Sequence, residues 1–281
     1  MNANGYRGFG PLSVLLLSLA LPAAAIESVY VIPAAAHVRG LAGSEWMTDL
    51  VLHNPGSAAV TIDVALVRSG AAALVASGLE TLGAAVVAPG QTVLLADLLG
   101  SALSADASGA LILSGTGPFT ATSRTYVERP DGTRGTAISV ARVFIDESEP
   151  SALLSGVRVE GRYRTNIGIF ALADGEDRLE IEVTIGGAVI QRLVVPAGTF
   201  AHAQLPVEST GGSGVATATV GIVAGQGFAT AYASVIDNGS DDATLIEPVA
   251  FESEPAARRG NADVELRLRR ALGHTDPGGD R

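Results

Sequence analysis

The chain has no cysteine and no lysine among its 281 residues, and aromatic residues make up only 5% of it. Without cysteine there is no thiol nucleophile, no cysteine-based zinc site, no disulfide and no lipid-modified cysteine behind a leader. The scarcity of rings argues against the exposed aromatic platforms used by many sugar-binding surfaces, and Trp46 is the single tryptophan. Positive charge is short as well: 18 arginines stand against 29 acidic residues, a formal net charge of −11, which argues against nucleic acid and anionic membrane as partners. Helical periodicity is nearly absent from the body. No Gly-x-Ser-x-Gly elbow, His-Glu-x-x-His pair or phosphate-binding glycine loop occurs, and the histidines number four, so the chain reads as a non-enzyme.

Long apolar runs are also lacking. The stretch from Leu12 to Leu21 is about ten residues, half of the roughly 20 needed to span a bilayer. Preceded by Arg7 and followed by Pro22-Ala23-Ala24-Ala25, it reads as a secretory signal over residues 1–25, cleaved near Ala25. Export is therefore expected, to an extracellular, periplasmic or cell-surface location. An exported chain without disulfides must stand on its hydrophobic cores, and this length points to two of them.

What the chain does have is a period of two. Trp46, Thr48, Leu50 and Leu52 share one face of a predicted strand, a turn follows at Asn54-Pro55-Gly56-Ser57, and Val60, Ile62, Val64 and Leu66 then alternate with Thr61, Asp63 and Ala65. The pattern returns about 117 residues later as Tyr163 to Phe170, a turn at Asp174-Gly175-Glu176-Asp177, and Leu179, Ile181, Val183 and Ile185 against Glu180, Glu182 and Thr184. Such alternation marks antiparallel strands with one face buried and one wet. The recurrence predicts an all-β chain of two tandem antiparallel β-sandwich, immunoglobulin-like domains over residues 26–145 and 152–251.

Between them lies an acidic linker, residues 146–151, where few contacts are expected to cross. The first copy is expected to carry a Gly/Ala-rich insertion from Arg68 to Ala85 where the second turns tightly at Gly186-Gly187. Residues 252–281 read as a flexible basic tail with at most a short helix from Asp263 to Leu272. The sharper reading is that this helix docks on an acidic surface, since five arginines face two acids between Pro255 and Leu272.

Two clusters stand out as candidate sites. Asp237, Asp241 and Asp242 form the densest group of oxygen ligands, a calcium candidate whose spacing fails the 12-residue calcium-loop pattern and which is first of all a turn. Asp49 and Asn166 follow Thr48 and Thr165 at matching places in the two copies. With Arg124 and Trp46 they make a candidate binding patch, the competing reading being hydrogen bonds that fix a sandwich edge.

Val31-Ile32-Pro33-Ala34-Ala35-Ala36-His37, the run from Trp46 to Gly56, and Thr122-Ser123-Arg124-Thr125-Tyr126 resemble a repeat of secreted bacterial proteins with tandem immunoglobulin-like or adhesion-type β-sandwich modules. Arg164-Thr165-Asn166-Ile167-Gly168 matches the second copy of that pattern, whereas Ala173-Asp174-Gly175 departs from it in lacking the Asn-Pro turn. The resemblance covers most of residues 30–250 and implies a fold and an extracytoplasmic place, with no activity attached. The function expected is a non-catalytic structural or adhesive module whose partner is a protein or glycan of the cell envelope, with no cofactor beyond the calcium candidate. One alternative is a carbohydrate-binding module, which gains if Trp46 is exposed beside Tyr30 or Tyr126 and loses if it is buried. The other is a surface-fibre subunit, in which the strand from Ser28 to Ile32 adds to a neighbour's sheet and oligomers form by edge-strand pairing.

Overall fold

A computed structural model describes residues 26–40, 43–70, 72–207, 214–250 and 254–274; the predicted signal over residues 1–25 lies outside the described residues. The first eight strands are β1 (Ser28–Arg39), β2 (Glu45–His53), β3 (Val60–Arg68), β4 (Glu80–Val87), β5 (Thr92–Leu95), β6 (Ala107–Gly115), β7 (Thr120–Arg129) and β8 (Gly132–Ser139), with a short helix, α1 (Leu98–Ala102), between β5 and β6. They form two antiparallel layers, β4-β3-β6-β1 and β5-β2-β7-β8. The long strand β1 joins them, pairing with β6 and then, at Val38 and Arg39, with β2.

The second set comprises β9 (Ser151–Arg158), β10 (Tyr163–Ala173), β11 (Leu179–Ile185), β12 (Ala188–Val195), β13 (Thr199–Val207), β14 (Val215–Ala224), β15 (Phe228–Asp237), β16 (Ala243–Ile246) and β17 (Val249–Ala250). Its layers run β12-β11-β14-β9-β17 and β13-β10-β15-β16, the same order strand for strand with β17 added. In both copies the second strand pairs the fifth and the third pairs the sixth, as B–E and C–F do in an immunoglobulin sandwich. The flanking strands are exchanged, however: the seventh lies beside the second and the first beside the sixth, where the immunoglobulin order has A beside B and G beside F.

Alternation explains each core. Leu50, Leu52, Ile62, Val64, Leu66, Leu111 and Leu113 are buried between the first two layers. Ile167, Ile169, Leu179, Ile181, Val183 and Val220 do the same between the second two. At roughly 1.5–3 kcal/mol per buried aliphatic side chain, each set offsets a large part of the chain entropy. The predicted turns hold: Asn54 is buried, with its amide donating to the carbonyls of Ala58 (2.7 Å) and Val87 (2.9 Å). Gly186 and Gly187 both take positive φ, 61° and 81°, as a two-residue hairpin turn requires. The stretch read as an insertion from Arg68 to Ala85 instead contains most of β4. As an edge strand, β4 is largely exposed on both faces and therefore carries weak patterning.

A third core, not expected from the period-two pattern, lies between the two sandwiches. Val29, Val31, Val67, Ala110 and Ile112, on the outer face of β1, β3 and β6, pack against Phe170, Leu172, Phe200 and Phe228 on the outer face of β10, β13 and β15. The molecule is thus four β-layers deep, with three apolar interfaces. The segment leaving β8 runs along this seam: the Ala141 amide donates to Val31 O (2.7 Å), and Ile145 and Ala229 exchange both backbone hydrogen bonds. The acidic linker is pinned by its own carboxylates, contrary to the contact-poor connection expected. Asp146 accepts from the Ser148 and Glu149 amides, and Glu147 accepts from Gly227 N (2.8 Å).

The tail is likewise not free. Helix α2 (Glu254–Ala271) is far longer than the stretch marked out by its i,i+4 pairs, and it closes one end of the seam with Val264 and Leu268. Arg267 pairs with Asp174 (2.6 Å) and Glu147 (3.2 Å) and lies over the Phe228 ring, 5.3 Å from its centroid. Glu265 accepts from the Val29 amide at 3.2 Å. The strand from Ser28 to Ile32 therefore has β6 on one edge and α2 with the 141–145 segment on the other, so it is not a free strand awaiting a neighbour.

Candidate functional site: the open end of the seam

The seam face of the β13-β10-β15 sheet changes character along its length. At the α2 end it carries Phe170, Leu172, Phe200 and Phe228, all buried. Following the same faces away from the helix gives Gly168, Asn166 and Arg164 on β10, His202 and Gln204 on β13, and Tyr232 and Ser234 on β15. There the layers part, and a groove of about 360 Å³ opens between the two sandwiches. Its floor is small, Ala34 to Ala36 with Ser108 and Gly109, and Trp46, Ile138, Ile236 and Leu245 supply apolar wall.

Local chemistry shapes this end. A Cβ on Gly168 would sit 2.0 Å from Tyr232 Cζ, so the missing side chain makes room for the ring to lie over the strand. His202 stacks with that ring, centroids 6.2 Å apart, and its Nε2 donates to the Pro33 carbonyl across the seam at 3.2 Å. Nδ1 is then a buried acceptor without a partner among the described residues. Burial drives the His202 pKa down to about 4 despite that Pro33 bond, so the imidazole is neutral at ordinary pH. Burial likewise pushes the Tyr232 phenol up, and Gln204 Nε2 donates to its oxygen at 3.5 Å.

The four residues expected to make one binding patch fall in two places. Trp46 and Asn166 line the groove. Asp49 and Arg124 are register partners across β2 and β7 on the opposite side of the first sandwich. There Asp49 Oδ1 accepts from Asp97 N (2.9 Å) and the Tyr126 hydroxyl (3.3 Å), while Arg124 donates to Thr133 Oγ1 (2.7 Å). Burial first, then the Asp49 charge, raises the Tyr126 pKa. The split has a simple cause: β2 and β10 are equivalent strands, but only the outer face of β10 is covered by another sheet. Trp46 is 7% exposed and packs with Val127, Ile236 and Ala243, so it offers no open platform. Tyr30 stands edge-on to Phe119 at 4.8 Å. The preceding threonines fix edges, Thr48 Oγ1 on Ala36 O (3.0 Å) and Thr165 Oγ1 on Arg158 O (2.7 Å).

Two of the three carboxylates of the calcium candidate are engaged elsewhere. Asp241, at φ 57°, binds both Arg129 and Arg164, and Asp237 binds Arg162 and caps Gly239 N (2.8 Å). Burial opposes ionisation of Asp241, but the two guanidinium groups hold its carboxyl below the usual range. Asp242 offers its backbone amide to Ser240 Oγ at 3.2 Å. Among the described residues no cluster of three or more His, Asp and Glu is placed to hold a metal ion, and no helix is long and apolar enough to cross a membrane.

His202, Gln204, Tyr232 and Ser234 escaped the sequence reading. A usable signal existed, since β10 and β15 are apolar on both faces near one end and turn polar on one face towards the other. No family model and no curated protein matches the chain. A solved structure of a lectin from Pleurotus ostreatus in complex with GalNAc shows a faint likeness: 11% identity over 81% of this chain and 84% of that one, with a TM-score of 0.23. Similarity at that level carries no argument.

Proposed function

We propose that the chain is an exported, non-catalytic interaction module of the cell envelope, working as one rigid body whose recognition surface is the groove at the open end of the seam. The observation that carries this reading is the seam itself. Two sandwiches are locked face to face by a ring-filled core and a docked helix, yet the same sheet faces are left polar and parted at one end, forming a concavity of ligand-site size. Supporting the non-catalytic part, the polar groups of the groove are amides, hydroxyls, two arginines and a histidine held neutral. Among the described residues no carboxylate stands with them to act as acid, base or nucleophile. The test is retention of envelope extract on the immobilised chain, compared with Ser234→Leu, which fills the groove. Loss of retention in the variant supports the reading, and chemical turnover of a retained molecule would overturn it.

The carbohydrate reading survives only in altered form. With Trp46 buried, an open stacking platform is gone, and any sugar must enter the groove.

A further inference from the structure

We propose that the groove takes a single neutral sugar ring or the end of a neutral glycan, an assignment that rests on the groove being the recognition surface. Its polar side carries it. Asn166, Gln204, Ser234 and Thr136 present amides and hydroxyls. An amide carries both donors and an acceptor, and a hydroxyl does both at once, as does every sugar hydroxyl, so such a wall meets a polyol without leaving lone pairs or protons unused.

Charge points the same way. Among the described residues no carboxylate lines the groove. Of its two arginines, Arg164 is committed to Asn238 Oδ1 (2.9 Å) and Asp241 (3.1 Å), which leaves Arg39 at the exposed mouth. A cation would meet two guanidinium groups, and an anion would find one uncommitted partner in open water, where screening weakens it. Beside these polar groups, the half-buried Val38 and Leu245 offer apolar surface for the C–H face of a pyranose. The small floor makes the space, and about 360 Å³ lies at the lower end of the roughly 300–1,000 Å³ of small-molecule sites, which favours one ring over a chain.

The experiment is a calorimetric titration of the folded chain with glucose, galactose and N-acetylglucosamine, with glucuronate and cyclohexanol as charged and apolar controls. At least one neutral sugar should bind saturably at one per chain. Asn166→Leu and Gln204→Leu should each weaken it about tenfold or more, equivalent to about 1.4 kcal/mol, with the melting temperature unchanged. Ser234→Leu should abolish the signal. The assignment fails if no neutral sugar binds, if cyclohexanol binds as well as the sugars, or if glucuronate binds more tightly with a steep salt dependence. Failure here with envelope retention still lost in Ser234→Leu would remove the sugar and keep the groove. Retention unchanged in that variant would instead remove the groove as the recognition surface.

Discussion

β2 and β10 occupy the same place in two copies of one topology, and their outer faces have gone different ways. On β2 that face carries Met47, Asp49, Val51 and His53, all partly open to solvent; on β10 the equivalent positions are Arg164, Asn166, Gly168 and Phe170. The inner faces are alike, Thr48, Leu50 and Leu52 against Thr165, Ile167 and Ile169, every one buried. The repeated topology therefore gives two similar slabs. A change in one outer face, apolar at one end and polar at the other, turned a pair of slabs into a stack with an opening. Burial and groove are two halves of the same modification.

The largest expected effect lies at the pair His53 and Phe170, equivalent positions on the two strands. Phe170→Ala removes a fully buried ring from the seam and should cost about 3–5 kcal/mol. His53→Ala, on the open face, should stay within about 0.5 kcal/mol. Denaturant melts of both variants make the test, and equal losses would mean that the seam adds no core.

Next in size is the response to acid. The His202 pKa is about 4 in the folded chain and ordinary, near 6.5, when unfolded, so the unfolded state gains the proton first as pH falls. Stability should be fully present above about pH 6.5 and decline by up to about 3 kcal/mol on approaching pH 4. His202→Gln should flatten that slope. Asp146 adds a later decline. Burial works against its ionisation, but hydrogen bonds from Ser148 and Glu149 hold its carboxyl below the usual range, and that contribution is lost as pH falls below it.

Gly168→Ala probes the join between the two halves, because the new Cβ collides with the Tyr232 ring. A loss of about 1–3 kcal/mol is expected, whereas the equivalent Val51 already carries a side chain. Apart from the near-neutral His53 control, the smallest effect should come from Arg267→Ala, about 1–2 kcal/mol. Arg267 is 15% exposed, and its pairs with Asp174 and Glu147 keep its guanidinium firmly protonated. Hydrogen exchange should show faster loss at the Val29 amide, which Glu265 of the same helix holds.

Much of this was legible in the residues. Period-two alternation located β2, β3, β10 and β11 and the repeat that relates them, because each has one face that must be dry. The strand order was beyond that method, since alternation states which face is buried and not which strand lies alongside. The seam was missed for a related reason. β6 and β10 are nearly continuous apolar runs, Ala110 to Leu113 and Ile167 to Ala173, a pattern that marks strands covered on both faces. The expectation of two separate sandwiches allowed those runs only one buried face, so the third apolar interface, and with it the groove, was missed. The basic tail was judged on composition, yet its placement depends on two carboxylates distant in sequence, Glu147 and Asp174, and on its own Glu265, which reaches the Val29 amide.

The covered edge of β1 carries one more consequence. β1 is the first strand described and α2 the last element, so although residue 141 covers Val31 early, the edge at Val29 stays bare until α2 has been made. A product stopping short of residue 254 would leave the Val29 amide without its Glu265 partner and bare the apolar surface that Val264 and Leu268 cover, ready to recruit identical copies into insoluble aggregates. The closing helix is in that sense a stopper, and its arrival marks when such a molecule becomes safe at high concentration.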